Sequence, residues 1–375
     1  MTVVTIQPGD SLYQIGKRYG VSVEQLVAAN GVDPNKYLVI GDSLIIPSPE
    51  EKSGPLIVNG YAYPFIDREV LRKTLPYLTY LSVFSYGVDD EGGLVPPQAD
   101  DREVLMMARS AGVVPILVLT TVDESGGFNS QRSVRLLESA DRRARLAAQL
   151  KQVIREKGYG GVDVDMEYIP GSFRQAYTDL VSYLAGELAP LPVMIALAPK
   201  TSREQRGLLY EAHDYMGMGA AAERALVMTY EWGHTYGPPM AVAPINQVER
   251  VLNYAVTEIP PQKILMGLPN YGYDWRLPYE QGTPARSIGN YEGVALARKY
   301  GAEIQYDETA QAPWFRYYDK RGQQHEVWYE DARSYRAKLN LLRSLGLGGV
   351  SIWNVMRFFQ PLYTLLDSYF NIVKL

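Results

Sequence analysis

Three acidic residues alternate with apolar ones in the segment Gly160-Gly-Val-Asp-Val-Asp-Met-Glu-Tyr168. Residues two apart on a β-strand share a face, so Asp163, Asp165 and Glu167 are predicted to point the same way. Buried carboxyl groups at this spacing raise one another's pKa, and a carboxyl group that stays protonated near neutral pH can act as a general acid. The spacing therefore favours acid catalysis, with Glu167 at the C-terminal rim of the strand.

Two other interpretations of these acids stay open at this point. Three carboxylates also suit Mg²⁺ or Ca²⁺ as a metal site. Alternatively, the strand lies at the surface, with its acids in water and Val162, Val164 and Met166 in the core. Its place in the chain argues against a surface strand, because it would be the fourth of eight strands in a barrel that helices cover from outside.

Apolar runs alternate with amphipathic helical stretches from Leu56 to the end of the chain. Eight such runs predict the parallel strands of a closed (β/α)₈ TIM barrel, an α/β fold. The strands are expected at 56–61, 80–85, 114–120, 161–167, 193–197, 225–230, 263–269 and 349–353. Helices are expected between them, at 101–110, 133–157, 173–188 and 331–345.

The stretch between the seventh and eighth predicted strands is far longer than one βα unit requires. Within it, residues 313–319 and 324–329 flank a Lys-Arg-Gly turn, which is a hairpin pattern. We therefore predict a small α+β insertion at approximately 274–330. It would lie at the C-terminal ends of the strands, where barrel active sites are found, and would form a wall of the cleft.

The first 47 residues predict a small separate βααβ domain. Strands are expected at 2–6 and 43–46, with two short helices between them. Ser22 followed by Gln25 predicts a capping box at the start of the second helix. Residues 48–55 are rich in Pro, Ser and charged side chains and predict a stiff linker, so that the barrel domain would occupy 56–375.

This N-terminal domain resembles a LysM module over its full length. The resemblance is carried by Val4-Thr-Ile-Gln-Pro-Gly-Asp-Ser-Leu-Tyr-Gln-Ile15, by residues 19–30 and by Gly41-Asp-Ser-Leu-Ile-Ile-Pro47. LysM modules bind glycans that contain N-acetylglucosamine through two loops that flank the helices. Gly9 and Asp10 alternatively serve only as turn and cap residues. The resemblance implies glycan contacts from Gly9, Asp10, Ser11 and Leu12 in the first loop and from Leu38 and Val39 in the second.

The acidic strand resembles the Asp-Gly-x-Asp-x-Asp-x-Glu motif of glycoside hydrolase family 18, which includes chitinases and related N-acetylglucosaminidases. The resemblance extends over essentially all of residues 56–375. Two positions depart from the family pattern, because Gly160 replaces the first Asp of the motif and Glu231 replaces the Asp of Met-x-Tyr-Asp. Similarity to the sixth, seventh and eighth strands of that family is carried by Val227-Met-Thr-Tyr230, Gly267-Leu-Pro-Asn-Tyr-Gly-Tyr-Asp-Trp275 and Gly349-Val-Ser-Ile-Trp353.

The resemblance implies a retaining hydrolase in which the acetamido group of the substrate is the nucleophile. Glu167 would protonate the glycosidic oxygen, and Asp165, supported by Asp163, would hold the acetamido N–H. Tyr230 would contact the same group, and Trp353 would form the floor beneath the sugar. No cofactor and no metal are expected. Further substrate contacts are expected from Met228, Glu231, Tyr271, Trp275 and Tyr61.

This mechanism needs an N-acetyl group on the sugar that is cleaved, so chitin and peptidoglycan qualify as substrates. The LysM-like domain before the barrel, with the stretches 59–64, 230–239 and 328–332, resembles the spore-germination and cortex-fragment lytic enzymes of endospore-forming bacteria. The resemblance implies an N-acetylglucosaminidase of the spore coat and cortex region, or of the cell wall, that acts on cortex peptidoglycan or its fragments. A chitinase and a non-catalytic lectin are the alternatives, and the presence of Glu167 argues against the lectin.

Composition excludes several other classes of protein. The chain of 375 residues is 46% hydrophobic and 21% charged, which is typical of a globular protein with a large core. Its net charge of −5 provides no basic surface for nucleic acid, and the absence of cysteine excludes disulfides and thiolate metal sites. No apolar run approaches the roughly 20 residues of a membrane helix, and the N-terminus lacks the features of a Sec signal. We therefore expect neither a nucleic-acid nor a membrane partner.

Overall fold

The computed structural model describes residues 1–123 and 126–375, and the chain begins with the predicted βααβ unit. Strands β1 (Thr2–Thr5) and β2 (Ser43–Ile46) pair antiparallel, and helices α1 (Leu12–Tyr19) and α2 (Val23–Asn30) lie between them in sequence. The capping box predicted at the start of α2 is present. The core of this unit is small and consists of Ile6, Leu12, Ile15, Leu26, Leu44 and Ile46.

A βα-repeat region follows, in which strands alternate with helices as the hydrophobic pattern predicts. Short 3₁₀ turns at Leu75–Tyr77, Gly171–Phe173 and Pro261–Lys263 complete it. Its elements are β3 (Pro55–Ala62), α3 (Arg68–Thr74), β4 (Tyr80–Val88), β5 (Leu94–Val95), α4 (Arg102–Ser110), β6 (Val114–Thr120), α5 (Ser130–Glu138), α6 (Ala140–Lys157), β7 (Val162–Asp165), α7 (Arg174–Leu188), β8 (Val193–Leu197), α8 (Tyr215–Ala221), β9 (Arg224–Val227), α9 (Ile245–Glu258) and β10 (Ile264–Pro269).

An α+β insertion interrupts the repeat after β10. Its elements are β11 (Gly272–Leu277), β12 (Arg286–Ile288), α10 (Asn290–Tyr300), β13 (Gln305–Asp307), β14 (Ala312–Tyr318) and β15 (Gln324–Trp328). The five strands form one antiparallel sheet in the order β12-β11-β15-β14-β13. The predicted hairpin is β14–β15, in which Trp314 lies opposite Trp328.

The chain then returns to the barrel with α11 (Ala332–Leu345), β16 (Gly349–Trp353), α12 (Gln360–Tyr369) and β17 (Asn371–Ile372). The parallel strands β3, β4, β6, β7, β8, β9, β10 and β16 follow one another around the barrel, and pairing of β16 with β3 and of β3 with β4 closes it. The predicted closed (β/α)₈ barrel with its insertion before the eighth strand is confirmed.

The prediction of one helix at 133–157 was wrong in one respect, because the structure has two helices there, α5 and α6. Ser139 ends α5, and its hydroxyl accepts a hydrogen bond of 3.3 Å from the backbone N–H of Arg142, so that it caps α6. A serine hydroxyl competes with the helical hydrogen bonds of the backbone and therefore favours a cap over a helix interior. The strand predicted at 161–167 is also shorter than expected, since β7 ends at Asp165.

The interior of the barrel is layered along its axis. Ile57, Ile116 and Leu265 belong to an apolar cluster near the N-terminal ends of the strands. Above it lies a polar layer, in which Asn59 donates a hydrogen bond of 2.9 Å to Ser351 Oγ. Ser82 donates to Asn59 Oδ1 at 3.0 Å and continues this layer. Polar groups thus line the path from the middle of the barrel towards the acidic residues of β7.

The N-terminal unit packs directly against the barrel domain, with α2 beside α12 and β2 beside α11. The hydroxyl of Thr364 donates to the carbonyl of Ala29 at 2.7 Å, and the hydroxyl of Tyr291 donates to the carbonyl of Asn30 at 2.7 Å. Ser53 lies in the segment expected to be a stiff linker. Its backbone N–H donates a hydrogen bond of 2.8 Å to the carbonyl of Tyr369. Docking therefore adds contacts to a unit whose own core is thin.

Candidate active site

The acids of β7 point into the barrel, as the alternation of the sequence predicts. Asp163 pairs in register with Val118 and Met194, which belong to the interior clusters, whereas Val162 and Val164 join the core between strands and helices. Paired residues of neighbouring strands share a face of the sheet. The surface-strand interpretation of this segment is therefore wrong.

Asp163 is fully buried and is held by two hydroxyl groups. The Tyr61 hydroxyl donates a short hydrogen bond to Asp163 Oδ2, and Ser82 Oγ donates to the same oxygen at 3.4 Å. Burial raises the pKa of Asp163 to about 6, although both hydrogen bonds act to lower it. Asp163 thus lies beneath Asp165 as a carboxyl group that gains and loses its proton within the neutral range.

Asp165 is the last residue of β7, and the charges of both other acids act on it. Burial, and then the charges of Glu167 and Asp163, raise the pKa of Asp165 well above its ordinary value. Its Oδ1 atom is buried and has no hydrogen-bond partner within the part of the chain that the structure describes. A buried acceptor without a partner is costly, so this oxygen is available to a ligand that donates a hydrogen bond.

Glu167 lies two residues beyond the end of β7 and lines the cleft. Burial is the main cause that raises the pKa of Glu167 to about 7, and the charge of Glu231 adds to it. The next residue, Tyr168, adopts a left-handed backbone conformation with φ of 57° and is 41% exposed. A non-glycine residue in this region is uncommon and is typical of functional sites, where it turns the chain sharply. A carboxyl group with this pKa can donate a proton near neutral pH.

Glu231 departs from the family pattern and also has a left-handed backbone, with φ of 67°. Its carboxylate accepts hydrogen bonds from the hydroxyl groups of Tyr271 and Tyr273, the latter at 3.0 Å to Oε1. Partial burial raises the pKa of Glu231, and these two hydrogen bonds oppose the rise. Two tyrosines therefore fix the position of the longer side chain within the cleft.

Asp165, Glu167 and Glu231 line a cavity of about 520 Å³ that is largely aromatic. Its floor includes Trp353, whose ring contacts the edges of Tyr61 and Phe84 at centroid distances of 5.3 and 5.1 Å. Aromatic rings with few polar groups between them suit the apolar faces of sugars. The lining residues are Tyr61, Tyr63, Phe65, Phe84, Phe128, Asp165, Glu167, Leu226, Met228, Tyr230, Glu231, Tyr271, Tyr273, Ser287, Trp353, Asn354, Met356 and Arg357.

A second cavity of about 480 Å³ continues the cleft beyond Glu167. It shares Phe128, Glu167, Met228, Tyr230 and Glu231 with the first cavity. The remaining lining residues of this side are Tyr168, Pro199, Leu209, Tyr210, Trp232 and His234. The cleft therefore extends to both sides of Glu167.

Several lining residues were not predicted from the sequence, among them Tyr63, Phe84, Phe128 and Tyr273. Phe84 lies near the C-terminal end of β4, and Tyr63 directly follows β3. Since active sites of barrels form at the C-terminal ends of the strands, aromatic residues at the ends of predicted strands are the signal that could have identified these two.

Trp275 was expected to contact substrate, and the structure corrects this. It is 1% exposed, and its indole N–H donates 2.8 Å to the carbonyl of Gly237. Its ring packs beside Tyr273 at a centroid distance of 5.4 Å, behind the residues that line the cleft. Trp275 and Tyr273 lie two residues apart on β11, so their side chains are on the same face of the sheet. Of the two, only Tyr273 lines the first cavity.

The N-terminal loops also differ from the expectation that all six of their residues face a glycan. Val39 is 4% exposed and packs in a core with residues of the insertion, and Leu12 is 7% exposed in the core of the N-terminal unit. Asp10 accepts hydrogen bonds from the backbone N–H of Gln7 at 2.9 Å and from Arg18 at 2.8 Å, which fits a turn residue. Packing against the insertion therefore removes Val39 from the surface.

No group of three or more metal-ligating side chains within residues 1–123 and 126–375 is arranged to hold an ion.

Gly160, where the family has an acid, leaves no room for a side chain, since a Cβ atom would lie 2.3 Å from Val114 Cγ1. Every helix of the described ranges is too short or too polar to cross a lipid bilayer.

Comparisons with known proteins agree with this geometry. Residues 124–357 match the family glycosyl hydrolases family 18, and residues 4–47 match the LysM domain. The chain is 36% identical to the cortical fragment-lytic enzyme of Bacillus anthracis, over 99% of both chains. It is 41% identical to the enzyme of that name from Bacillus subtilis (strain 168), over 82% of this chain and 71% of the relative.

A solved structure, that of the Bacillus cereus spore cortex-lytic enzyme SleL, has a TM-score of 0.94 and 32% identity, and the match covers 100% of this chain and 99% of that one. The family match spans more than half of the residues, and the motif of the family lies in the cleft. The chain therefore belongs to glycosyl hydrolases family 18, and it is a glycoside hydrolase with an N-terminal LysM domain.

Proposed function

We propose that this hydrolase is a retaining N-acetylglucosaminidase that cleaves spore cortex peptidoglycan or its fragments with the help of the substrate's own acetamido group. The observation that carries the proposal is the pair formed by Asp165 and Glu167. Asp165 offers a buried oxygen without a partner in the described residues, and Glu167 beside it has a pKa of about 7. An acetamido N–H is a donor that matches the first group, and a glycosidic oxygen is an acceptor that matches the second.

In the first step, Glu167 gives its proton to the glycosidic oxygen, and the bond from that oxygen to C1 breaks. The acetamido carbonyl oxygen attacks C1 and forms an oxazolinium cation, while Asp165 accepts a hydrogen bond from its N–H. In the second step, Glu167 takes a proton from water, and the water oxygen attacks C1. The bond between C1 and the acetamido oxygen breaks, which opens the oxazolinium ring. Two displacements at C1 retain the anomeric configuration.

Tyr230, Trp353 and Met228 have supporting roles in this proposal. Tyr230 and Met228 line both cavities beside Glu167, and Trp353 lies on the floor of the first. The Tyr230 hydroxyl would contact the acetamido carbonyl, and the Trp353 ring would stack beneath the sugar. Asp163 would support Asp165 from below, because it shares the interior face of β7 with it.

The choice of cortex peptidoglycan rests on the relatives, which are named cortical fragment-lytic and spore cortex-lytic enzymes. Muramic-δ-lactam has no free acetamido group, so the sugar that supplies the nucleophile must be N-acetylglucosamine, with a muramic sugar on the leaving side. We place the enzyme in the coat and cortex region of the spore, where that substrate lies. In the LysM domain, the exposed Gly9 and Ser11 and the half-buried Leu38 remain proposed glycan contacts.

The test compares wild type with Glu167→Gln on purified cortex peptidoglycan and on chitin, with products identified by mass spectrometry. We expect fragments that end in reducing N-acetylglucosamine from cortex with wild type, and none with Glu167→Gln although it still binds. Glu138→Gln, an exposed glutamate of α5, is the matched control and should cleave like wild type. Products from chitin alone would make the enzyme a chitinase, binding without products would make the chain a lectin, and an active Glu167→Gln would overturn the mechanism.

A further inference from the structure

A groove of about 630 Å³ lies at the junction of the LysM domain and the catalytic domain, and it shares no lining residue with the catalytic cleft. We call it the seam groove. It is bounded by Gln7 and Ile40 of the LysM domain and by Gln305, Tyr306, Arg336 and Asn340 of the catalytic domain. It does not include Gly9, Ser11 or Leu38, the residues proposed above to contact glycan.

Arg333 holds the two walls of the seam groove together. Its guanidinium group donates to Thr5 Oγ1 at 3.1 Å and to the carbonyl of Gly41 at 2.9 Å, both in the LysM domain. The same group pairs with Asp331 at 2.7 Å and lies over the ring of Tyr306, 4.4 Å from its centroid. These contacts fix the position of the Arg333 side chain between the two domains before any ligand enters.

Several polar side chains in the seam groove have no hydrogen bond or ion pair within the described residues. Among them are the amides of Gln305, Gln311 and Asn340 and the guanidinium group of Arg336. Side-chain amides donate and accept hydrogen bonds at once, which is the pattern that hydroxyl and acetamido groups of a sugar require. The groove therefore offers unused hydrogen bonds to a ligand rich in such groups.

The charges of the lining favour a neutral ligand. The lining contains two arginines, Arg333 and Arg336, and two glutamates, Glu303 and Glu308, so its formal charges sum to zero. A groove for an anion would carry excess positive charge, and a groove for an apolar peptide would be lined mostly by apolar side chains. Amides, a tyrosine and balanced charge together match a neutral saccharide.

One rigid sheet joins the seam groove to the catalytic cleft. A row of paired residues crosses this sheet. It begins at Tyr273, which lines the cleft and pairs with Trp328. Trp328 pairs with Trp314, and Trp314 pairs with Gln305 in the seam groove. The row crosses three strand spacings, or roughly 14 Å. The rings of Trp314 and Trp328 stack at 5.7 Å along it. The two sites are therefore close, and their separation is set by the sheet.

We propose that the seam groove is a second saccharide-binding site, which takes a neutral N-acetylated segment of a glycan and holds it beside the catalytic cleft. Only the choice of glycan rests on the proposed function, because the groove and its free polar groups do not depend on the reaction. A glycan polymer bound in both places would be held by the LysM domain, the insertion and the barrel together.

The experiment uses the full chain with Glu167→Gln, so that the probe is not consumed, and a soluble N-acetylglucosamine hexamer as the probe. Hydrogen exchange is measured with and without probe. We expect protection of residues 303–311 and 336–340 in addition to the cleft. Adding Gln305→Ala and Arg336→Met should remove that protection. It should also weaken binding of the hexamer in the seam groove by about fivefold or more, which corresponds to the loss of at least one hydrogen bond.

Arg155→Met is the matched control, because Arg155 is exposed on α6 and has no partner among the described residues. It should keep the protection at 303–311. Protection confined to the cleft and to the LysM loops would rule out the seam site, even if the double variant failed to fold. Release of reducing ends from cortex by wild type is scored separately, so loss of that activity would reject the proposed function without touching the seam site.

Discussion

The hydroxyl group of Tyr273 donates a hydrogen bond of 3.0 Å to Glu231 Oε1, and Tyr271 donates to the same oxygen. Both tyrosines belong to the start of the insertion, whereas Glu231 follows the sixth barrel strand. The insertion thus fixes a negative charge near Glu167. This relationship explains how a glutamate can stand where the family has an aspartate, since its extra methylene is restrained by two hydrogen bonds.

We expect kcat/KM to fall as pH rises through about 7, because Glu167 must be protonated and its pKa is raised to about 7. Burial is the main cause and the Glu231 charge the second, so Glu231→Gln should move the alkaline limb to lower pH. Glu231→Asp keeps the charge and serves as the control, since its limb should stay near that of wild type even if its rate changes. An unmoved limb in Glu231→Gln would contradict the coupling.

Glu167→Gln should be more stable than wild type at pH 8. A carboxyl group whose pKa is higher in the folded than in the unfolded state binds more protons when folded, so stability falls as pH rises between the two values. For Glu167 that window runs from 4.5 to about 7. Thermal unfolding should show a higher Tm for the variant at pH 8 and a difference that shrinks towards pH 4.5. An equal difference at both pH values would mean that the charge is not its cause.

Tyr61→Phe should lower kcat by about tenfold or more, the typical loss of a hydrogen bond to a charged group. Without the Tyr61 hydroxyl, Asp163 keeps only Ser82 at 3.4 Å, and its pKa should rise above about 6. The pH dependence of kcat should therefore change, in addition to the fall in kcat itself. Tyr318→Phe, which alters a tyrosine that is 63% exposed, is the control and should leave both unchanged. A Tyr61→Phe enzyme with wild-type kcat would show that the contact is only structural.

Gly41→Ala should separate the LysM domain from the catalytic domain. Gly41 has φ of 83°, and a Cβ atom there would lie 1.8 Å from the carbonyl oxygen of Ile304. Gly20 is the matched control, because its φ of 70° is similar and a Cβ atom there would meet nothing within 4 Å. Both variants should lose about 1 to 2 kcal/mol from the left-handed backbone. Only Gly41→Ala should also show faster proteolysis between residues 47 and 54.

Lys338→Met should destabilise the protein by about 3 to 5 kcal/mol, because it leaves the charge of Glu330 buried without its partner. The two groups lie 2.8 Å apart, and neither side chain has exposed surface. The double variant Lys338→Met with Glu330→Gln should recover most of that loss in denaturant unfolding. A double variant as unstable as the single one would show that packing, and not the unpaired charge, is responsible.

Local pattern was sufficient for the elements and for the acids of the site. The period-two alternation of Asp163, Asp165 and Glu167 with apolar residues places these acids on one face, and eight apolar runs separated by helical stretches predict a barrel with that face inside. Each of these features depends only on residues that are close in sequence. The break at Ser139 was missed because helical periodicity continues through it.

The positions of Trp275, Val39 and Tyr63 were decided by tertiary structure. Trp275 carries the family resemblance but lies behind the cleft wall, and Val39 is covered by the insertion. Tyr63 reaches the cleft only because barrel closure brings β3 next to β16. The sequence by itself determined which residues could donate protons, since that depends on residue type, and which of them share a face, since strand geometry dictates it. The tertiary structure decided which aromatic side chains line the cleft and where the LysM domain packs, because those contacts join residues far apart in the chain.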